Sequence, residues 1–314
     1  MKDIKSIPII PVISGPTASG KSLLALQIAE ELNIEVISAD AYQVYKYMDI
    51  GTSKPTPGSR AFLKHHLIDI VCPDATYSAG LFFNDAEHCV ADILGNNKLP
   101  VVVGGTGLYI EALFKGIFNG PHRDNNIREE LNSMADKHGC GYLYDQLQKI
   151  DPSYAAIISK NDKTRITRAL EVYKKTGIPL TKAYKILHRK PKFKYKLFIN
   201  DLDRKLIYKK INDRVEEMFY SGWIQEVDDL IRKGYPEDTQ AFKAIGYREI
   251  ALYLKNKSSL DDLKSDIKRK TRNYAKRQLT WFKHMDGIVY IPEDEVQTFT
   301  ASFVEQYSFY LKTK

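Results

Sequence analysis

The chain has 314 residues, 43% of them hydrophobic, enough to bury a core as one large domain with an insertion or as two moderate domains. No run approaches the roughly 18 apolar residues of a spanning helix, so no membrane partner is expected, and the formal charge of +8 permits a polyanion such as nucleic acid without naming one. Cys72, Cys89 and Cys140 are odd in number and widely spaced; that excludes a disulfide framework or metal-binding pair and predicts a reducing, cytoplasmic setting.

In the opening MKDIKSIPIIPVISG a charged start and short apolar run lead straight into a glycine loop, which predicts a first strand over residues 9–13 and not a signal peptide. Residues 22–32 follow with Leu23, Leu26, Ile28, Ala29 and Leu32 at helical spacing. Short strands are expected at 36–38 and 66–71, a helix at 81–94, and another strand at 99–103, ending in Gly104-Gly105. Apolar strands separated by helices predict a parallel sheet covered on both faces, with ligands bound beyond the carboxyl ends of the strands.

After Gly120 the texture changes. Helical patterns at 128–138 and 164–175 come with no comparable strand, a late core strand reads at 196–202, and helices follow at 207–220, 224–232 and 263–281. The stretch from Pro292 predicts a short terminal helix with no assigned function. The fold class expected is α/β: a P-loop NTPase-like parallel sheet core with helices on both faces, a helical insertion domain and C-terminal helices. Residues 1–120 and 190–314 form the core in this reading, and 121–189 the insertion.

The chemistry starts at Gly15-Pro16-Thr17-Ala18-Ser19-Gly20-Lys21-Ser22, placed between a strand and a helix. Its glycines turn backbone N–H groups toward an anion and the helix adds its positive end. Lys21 reaches a terminal phosphate, and Ser22 can hold a magnesium ion or a phosphate oxygen. Alone the loop suggests an ATPase, a GTPase or a small-molecule kinase. Such enzymes add a carboxylate at the end of another strand, yet the strand at 101–103 runs into Gly104-Gly105-Thr106-Gly107. Asp69 is either that carboxylate or a structural strand-end residue. A loop without that carboxylate suits a diphosphate that leaves. Asp40, after the second strand, can accept a proton or cap the segment that follows. Thr106 suits orienting an amine or a phosphate oxygen.

With these residues in place, the sequence resembles the bacterial tRNA dimethylallyltransferases. The blocks GPTASGKS, ISADAYQVYKYMDIGTSKP, HHLIDI, YSAGLF, PVVVGGTGLYIEAL, TRITRALEVY, INDRVEEM, AFKAIGYREI and AKRQLTWFK occur in family order over roughly residues 10–285. The resemblance implies a prenyltransferase in which the N6 amine of adenosine 37 in tRNA attacks C1 of dimethylallyl diphosphate and expels diphosphate. Asp40 falls on the proposed general base, Thr106 on the threonine beside it and Arg214 on an arginine reaching the phosphates. Lys21, Ser22 and the loop amides bind the diphosphate with Mg2+. The resemblance also assigns tRNA contacts to Gln43, Thr164, Arg165, Arg168, Lys243, Gly246, Tyr247, Arg248, Lys276, Arg277, Gln278, Trp281 and Lys283. The partner implied is the tRNA anticodon stem-loop, and the enzyme is expected as a monomer. One departure is Ala41, where the family usually has Ser.

The basic residues fit this placement. Lys264, Lys268, Arg269, Lys270, Arg272, Lys276, Arg277 and Lys283 crowd one helical region, interleaved with Thr280, Trp281 and Phe282. A second run, with Lys185, Arg189, Lys190, Lys192 and Lys194, reads either as RNA-facing or as a solvated face. Tyr42, Tyr45 and Tyr47 suit stacking or packing. The rivals are an adenylate isopentenyltransferase, which needs no large RNA surface, a nucleotide kinase, and an RNA-binding module without catalysis.

Overall fold

The computed structural model describes residues 8–256 and 259–312. Its strands, in chain order, are β1 (Ile10–Ser14), β2 (Ile34–Ser38), β3 (His65–His66), β4 (Leu99–Val103), β5 (Ile117–Phe118), β6 (His188–Arg189), β7 (Tyr195–Asp201) and β8 (Val289–Pro292). Six of them form one parallel sheet in the order β3-β2-β4-β1-β7-β8. β1, β2 and β4 are buried at every position, because helices cover both faces of the sheet. β1 is central, with Val12 opposite Val102 on one side and Leu197 on the other.

The helices are α1 (Lys21–Glu31), α2 (Pro57–Phe62), α3 (Ala79–Gly95), α4 (Gly107–Lys115), α5 (Asn125–His138), α6 (Cys140–Ile150), α7 (Pro152–Ala155), α8 (Lys163–Thr176), α9 (Leu180–Ile186), α10 (Arg204–Tyr220), α11 (Trp223–Arg232), α12 (Tyr247–Asn256), α13 (Leu260–Phe282) and α14 (Val296–Lys312). Several begin at an oxygen-bearing side chain that takes up a free amide of the first turn: Ser78 accepts from Leu81, Asp162 from Arg165, Asp203 from Leu206 and Ser259 from Asp262. No helix among the described residues is long and apolar enough to cross a membrane.

Two expectations need correction. The strand read at 66–71 is only His65–His66, because Leu67 (φ +63) and Asp69 (φ +58) turn left-handed and end it. The segment from Pro292 holds a 17-residue helix, α14, preceded by a sixth strand that the sequence reading missed. Phe303 and Tyr307 of α14 are buried in the core cluster that includes Leu24 and Ile28 of α1, and the Tyr307 hydroxyl donates to the Ile9 carbonyl at 3.0 Å.

The chain divides into two compact units. One runs up to Lys115 and resumes at Pro191; the other is Gly116–Lys190. The second unit packs α5, α6, α8 and α9 around Leu131, Leu143, Leu147, Ile166 and Leu170. Its chain ends meet as an antiparallel pair, Ile117 opposite Arg189 and Phe118 opposite His188. Inside it Glu171 accepts hydrogen bonds from Arg128 (2.9 and 3.0 Å), Arg168 (2.7 Å) and the Asp124 amide (2.7 Å). Burial alone would raise its pKa, but these donors outweigh it and hold the carboxyl at about 2.

Candidate active site

The candidate site lies within the first unit, around the carboxyl ends of β1, β2 and β4. β1 stops at Ser14, and the loop turns at Gly15 (φ +140) and Gly20 (φ +84), backbone states that favour glycine. A Cβ on Gly15 would lie 2.9 Å from Ser19 Oγ. Gly20 precedes α1 with no side chain capping the helix, so the first-turn amides and the positive end of the helix face an anion site.

Lys21 folds its ammonium back on the loop, donating to the carbonyls of Gly15 (3.1 Å) and Pro16 (2.7 Å). Burial and the nearby Arg214 lower its pKa to about 7, with Asp40 opposing them. Ser22 is exposed at the start of α1 and lines the same cavity as Lys21, Asp40 and Arg214.

Asp40 follows β2, and its Oδ1 accepts from the amides of Tyr42 (2.9 Å) and Gln43 (3.3 Å). The two readings of Asp40 are therefore compatible: one oxygen caps a turn and thereby fixes the carboxylate at the cavity wall. Thr106, after β4, accepts from the Ala41 amide at 3.0 Å through Oγ1 and also bonds the Tyr274 side chain. It is the backbone of Ala41 that makes this link. Arg214 arrives from α10, its Nε donating to Ser53 Oγ (2.6 Å) and Nη1 to Thr17 Oγ1 (3.3 Å). Burial lowers its pKa, while Asp40 and Glu217 work the other way.

Gln278 ties the loops together. Its Oε1 accepts from the Thr17 amide at 2.8 Å and its Nε2 donates to the Gly105 carbonyl at 2.7 Å. The close approach explains the glycines: a Cβ on Gly105 would meet Gln278 Nε2 at 2.4 Å, and one on Gly104 the Ala39 carbonyl oxygen at 2.2 Å. Glu226 of α11 does similar work for the turn at 49–51, accepting from the amides of Asp49, Ile50 and Gly51 and from the Tyr247 hydroxyl.

Two cavities meet here. The smaller, about 100 Å³, is polar and lined by Thr17, Lys21, Ser22, Asp40, Gly105 and Arg214. The larger, about 260 Å³, has an apolar wall of Ile211, Val215, Met218 and Trp223, with Lys243 and Arg277 also lining it. Thr17, Asp40, Thr52, Arg214 and Tyr274 line both, so Asp40 stands where an anion site opens onto an apolar one.

The residues expected to touch RNA divide by burial. Lys243, Arg248, Lys276, Arg277, Trp281 and Lys283 are exposed, and the cations among them have no ion pair among the described residues. Arg277 lies over the Tyr274 ring at 5.7 Å. Gln278, Tyr247 and Gly246 are instead buried, and Gln43 is part-buried at the wall of the smaller cavity. Gln278 is 6% exposed. The Gln43 amide is shared between Ser38 Oγ and the carbonyls of Thr52 and Ser53. Tyr247 is fully buried, and a Cβ on Gly246 would strike Trp223 at 2.0 Å. In the second unit Thr164 and Arg165 are exposed, while Arg168 is committed to Glu171 and the Pro121 carbonyl and lies 5.7 Å over the Phe118 ring.

Much of the basic face of α13 is neutralised at home. Lys264 and Lys268 pair with Glu216, Arg269 with Asp266, and Lys270 with Glu249 and Asp266. Asp69 is structural, paired with Lys54 at 2.5 Å and Arg60 at 2.7 Å. The three tyrosines separate as well: Tyr45 is buried, Tyr42 lines the larger cavity, and Tyr47 is exposed with Lys233 4.4 Å over its ring.

Sequence reasoning missed Tyr274, Ser53, Glu226 and Asn200, whose Nδ2 holds the Ser19 carbonyl at 2.9 Å. A signal for Tyr274 exists: Ile267, Thr271, Tyr274 and Gln278 recur at spacings of three and four along a helix otherwise rich in cations, and that stripe is the inward face.

The sequence profile described as IPP transferase matches residues 43–285, and one described as isopentenyl transferase matches 8–69. The chain is 44% identical to tRNA dimethylallyltransferase 1 of Syntrophotalea carbinolica, covering 90% of this chain and 91% of that one. It is 42% identical to tRNA dimethylallyltransferase of Geobacter sulfurreducens, covering 93% and 96%. Among solved structures, the tRNA isopentenylpyrophosphate transferase of Bacillus halodurans superposes with a TM-score of 0.69 at 35% identity, covering 96% and 98%. A eukaryotic dimethylallyltransferase described as acting on tRNA superposes at 0.77 and 29% identity, covering 91% and 74%. By this likeness along nearly its whole length, the chain belongs to the IPP transferase family, whose curated members carry the name tRNA dimethylallyltransferase.

Proposed function

We propose that this protein transfers the dimethylallyl group of dimethylallyl diphosphate to the N6 amine of adenosine 37 in tRNA, releasing diphosphate. The observation that carries this reading is the position of Asp40 between an anion cradle and an apolar cavity. A phosphoryl-transfer enzyme needs no apolar wall beside its phosphates, whereas an allylic diphosphate has one part for each cavity. The substrate named for the relatives, tRNA, comes to this chain with the family.

The diphosphate lies along Gly15, Pro16, Thr17, Ala18, Ser19, Gly20, Lys21 and Ser22, with Arg214 closing on it from α10. As C1 parts from oxygen, the bond's electron pair goes to the diphosphate, and the fixed cations and amides stabilise that charge without reorganising. The N6 amine forms the C1–N bond, and its proton passes to Asp40 as the bond forms, because a ring-conjugated amine is not usefully deprotonated beforehand. Thr106 and Tyr274 stand beside Asp40 and orient the amine.

Mg2+ fits the site as a companion of the diphosphate. Magnesium keeps several waters and takes substrate phosphate oxygens as ligands, and in a P-loop the serine or threonine hydroxyl joins them. Ser22 supplies that hydroxyl, and the ion would add charge stabilisation to the leaving group.

The anticodon stem-loop docks over the larger cavity, on Lys243, Arg248, Lys276, Arg277, Trp281 and Lys283, with adenosine 37 turned out of its stack at a cost of a few kcal/mol. Residues 116–190 supply a further RNA contact through Thr164 and Arg165. Gln278, Gln43, Tyr247 and Gly246 serve the same reaction from inside, by holding the loops. The enzyme works as a monomer in the cytoplasm, where a reducing setting suits its three free cysteines.

The test is to incubate the protein with dimethylallyl diphosphate, Mg2+ and either an anticodon stem-loop or AMP. Prenylated adenosine 37 is expected. Product on AMP alone would move the protein to the adenylate isopentenyltransferases.

A further inference from the structure

We propose that Met218 sets the length of the prenyl chain that the site accepts, a specificity role that rests on the dimethylallyl transfer proposed above. α10 brings Arg214 to the P-loop and, from the same helix, lines the larger cavity with Ile211, Val215 and Met218. Their spacing of four and three puts them on one face. Ile211 and Val215 are buried and carry no hydrogen-bonding group, and the Met218 thioether is only a weak acceptor; Trp223, also buried, has an indole N–H with no partner among the described residues.

That wall suits only one of the two substrates. Adenine has polar edges, and leaving them unpaired against Ile211 and Val215 costs about 1–3 kcal/mol per group. A hydrocarbon chain loses nothing there and gains from leaving water. The same cavity is lined by Tyr42, Tyr274 and Asp40, and by the exposed cations Lys243 and Arg277. The base therefore pairs with the tyrosines and Asp40, and the chain lies against the aliphatic residues of α10.

The helix supplies the measure. Met218 is four residues beyond Arg214, about 6 Å along the axis, a span that one isoprene unit fills and two overrun. Met218 is only part-buried, so removing its thioether opens the end of the slot toward solvent and lets a longer chain pass. The chemistry is the same for either donor: the C1–O bond breaks with its electron pair on the diphosphate, the C1–N6 bond forms, and the amine proton goes to Asp40.

The experiment compares kcat/KM for geranyl and dimethylallyl diphosphate on an anticodon stem-loop, with products identified by mass. In Met218→Ala the geranyl-to-dimethylallyl ratio is expected to rise at least about tenfold, the lower end of what one hydrophobic contact discriminates. Met218→Phe shortens the slot and lowers kcat/KM for dimethylallyl diphosphate by a similar factor, while inhibition by inorganic diphosphate stays at the wild-type value. Thermal unfolding checks each variant, and Met218→Val replaces Met218→Ala if the latter does not fold. A folded Met218→Ala or Met218→Val, active on dimethylallyl diphosphate with an unchanged ratio, overturns the proposal, as does a Met218→Phe that weakens inorganic diphosphate equally. A wild-type protein that transfers no dimethylallyl group overturns the underlying reaction instead, and the role of Met218 with it.

Discussion

Lys21 is expected to make donor binding a proton-uptake reaction. Burial and Arg214 hold its pKa at about 7 where the ordinary value is 10.5. A diphosphate beside the ammonium favours the charged form and raises that pKa again. The sign follows: the bound state carries more protons than the free state, so affinity falls as pH rises above about 7. If the bound value returns to the ordinary lysine range, affinity drops about fivefold from pH 7 to 8 and about ninefold from 8 to 9, roughly 2 kcal/mol in all. Uptake at pH 8 is about 0.9 proton per donor bound. Calorimetric titration with a non-reactive thiolodiphosphate analogue, in two buffers of different ionisation enthalpy, reads that number directly. Lys21→Met should abolish the uptake and, by removing a charge that is costly to bury, stabilise the free protein by roughly 2 kcal/mol once discounted for partial exposure. Zero proton uptake at pH 8, with affinity flat from pH 7 to 9, would refute the assignment of Lys21 to the diphosphate.

The other predictions concern base, neighbour, sheet edge and RNA face. Asp40→Asn should lower kcat by about 10²–10⁴-fold with stem-loop affinity intact; near-normal turnover would sink the role of Asp40 as base. Ala41→Ser should change kcat/KM by less than about fivefold, because Ala41 holds Thr106 through its amide; a jump from no turnover to normal turnover would mean that the missing hydroxyl had crippled the site. Burial would raise the pKa of Glu35, but Lys98, His66 and Lys64 bring it down to about 2. Its carboxylate therefore contributes about 3 kcal/mol of stability, fully present above pH 4.5 and lost as pH falls toward 2. Glu35→Gln should flatten acid unfolding in that window, and an unchanged profile would contradict the network. Removing the charges of Lys276 and Arg277 should reduce the slope of log affinity against log salt by up to about 1.4 for single-stranded contacts; an unaltered slope would place the RNA elsewhere.

What could be read from the sequence follows from how local the cause is. β1, β2 and β4 are legible because burial on both faces leaves an uninterrupted apolar run. β8 is not: it is four residues long, exposes Tyr290 and follows Gly287, so nothing local separates it from a loop. The strand at 66–71 is overcalled because apolar residues continue past the point where Leu67 and Asp69 turn left-handed. In the site, the loop, Asp40, Thr106 and Arg214 are visible as motif residues. Glu226 and Ser53 are not, since each matters through a partner far along the chain. Gln278, Gln43 and Arg168 show the remaining ambiguity: a polar side chain in a family block has the same letter whether it reads a base or ties two loops together.

The central position of β1 has a consequence for synthesis. Its two neighbours are β4, with Val12 opposite Val102, and β7, with Ile10 opposite Tyr195. The Thr17 amide then waits for Gln278, 261 residues away. At about 5–20 residues per second, the strand that carries the P-loop leaves the ribosome roughly 10–40 s before β7 does. Throughout that interval one edge of a fully buried strand is unpaired, and the anion cradle lacks the residue that braces it. Capture of nascent chains should therefore peak between the appearance of β1 and that of β7, and donor binding should begin only when α13 has emerged.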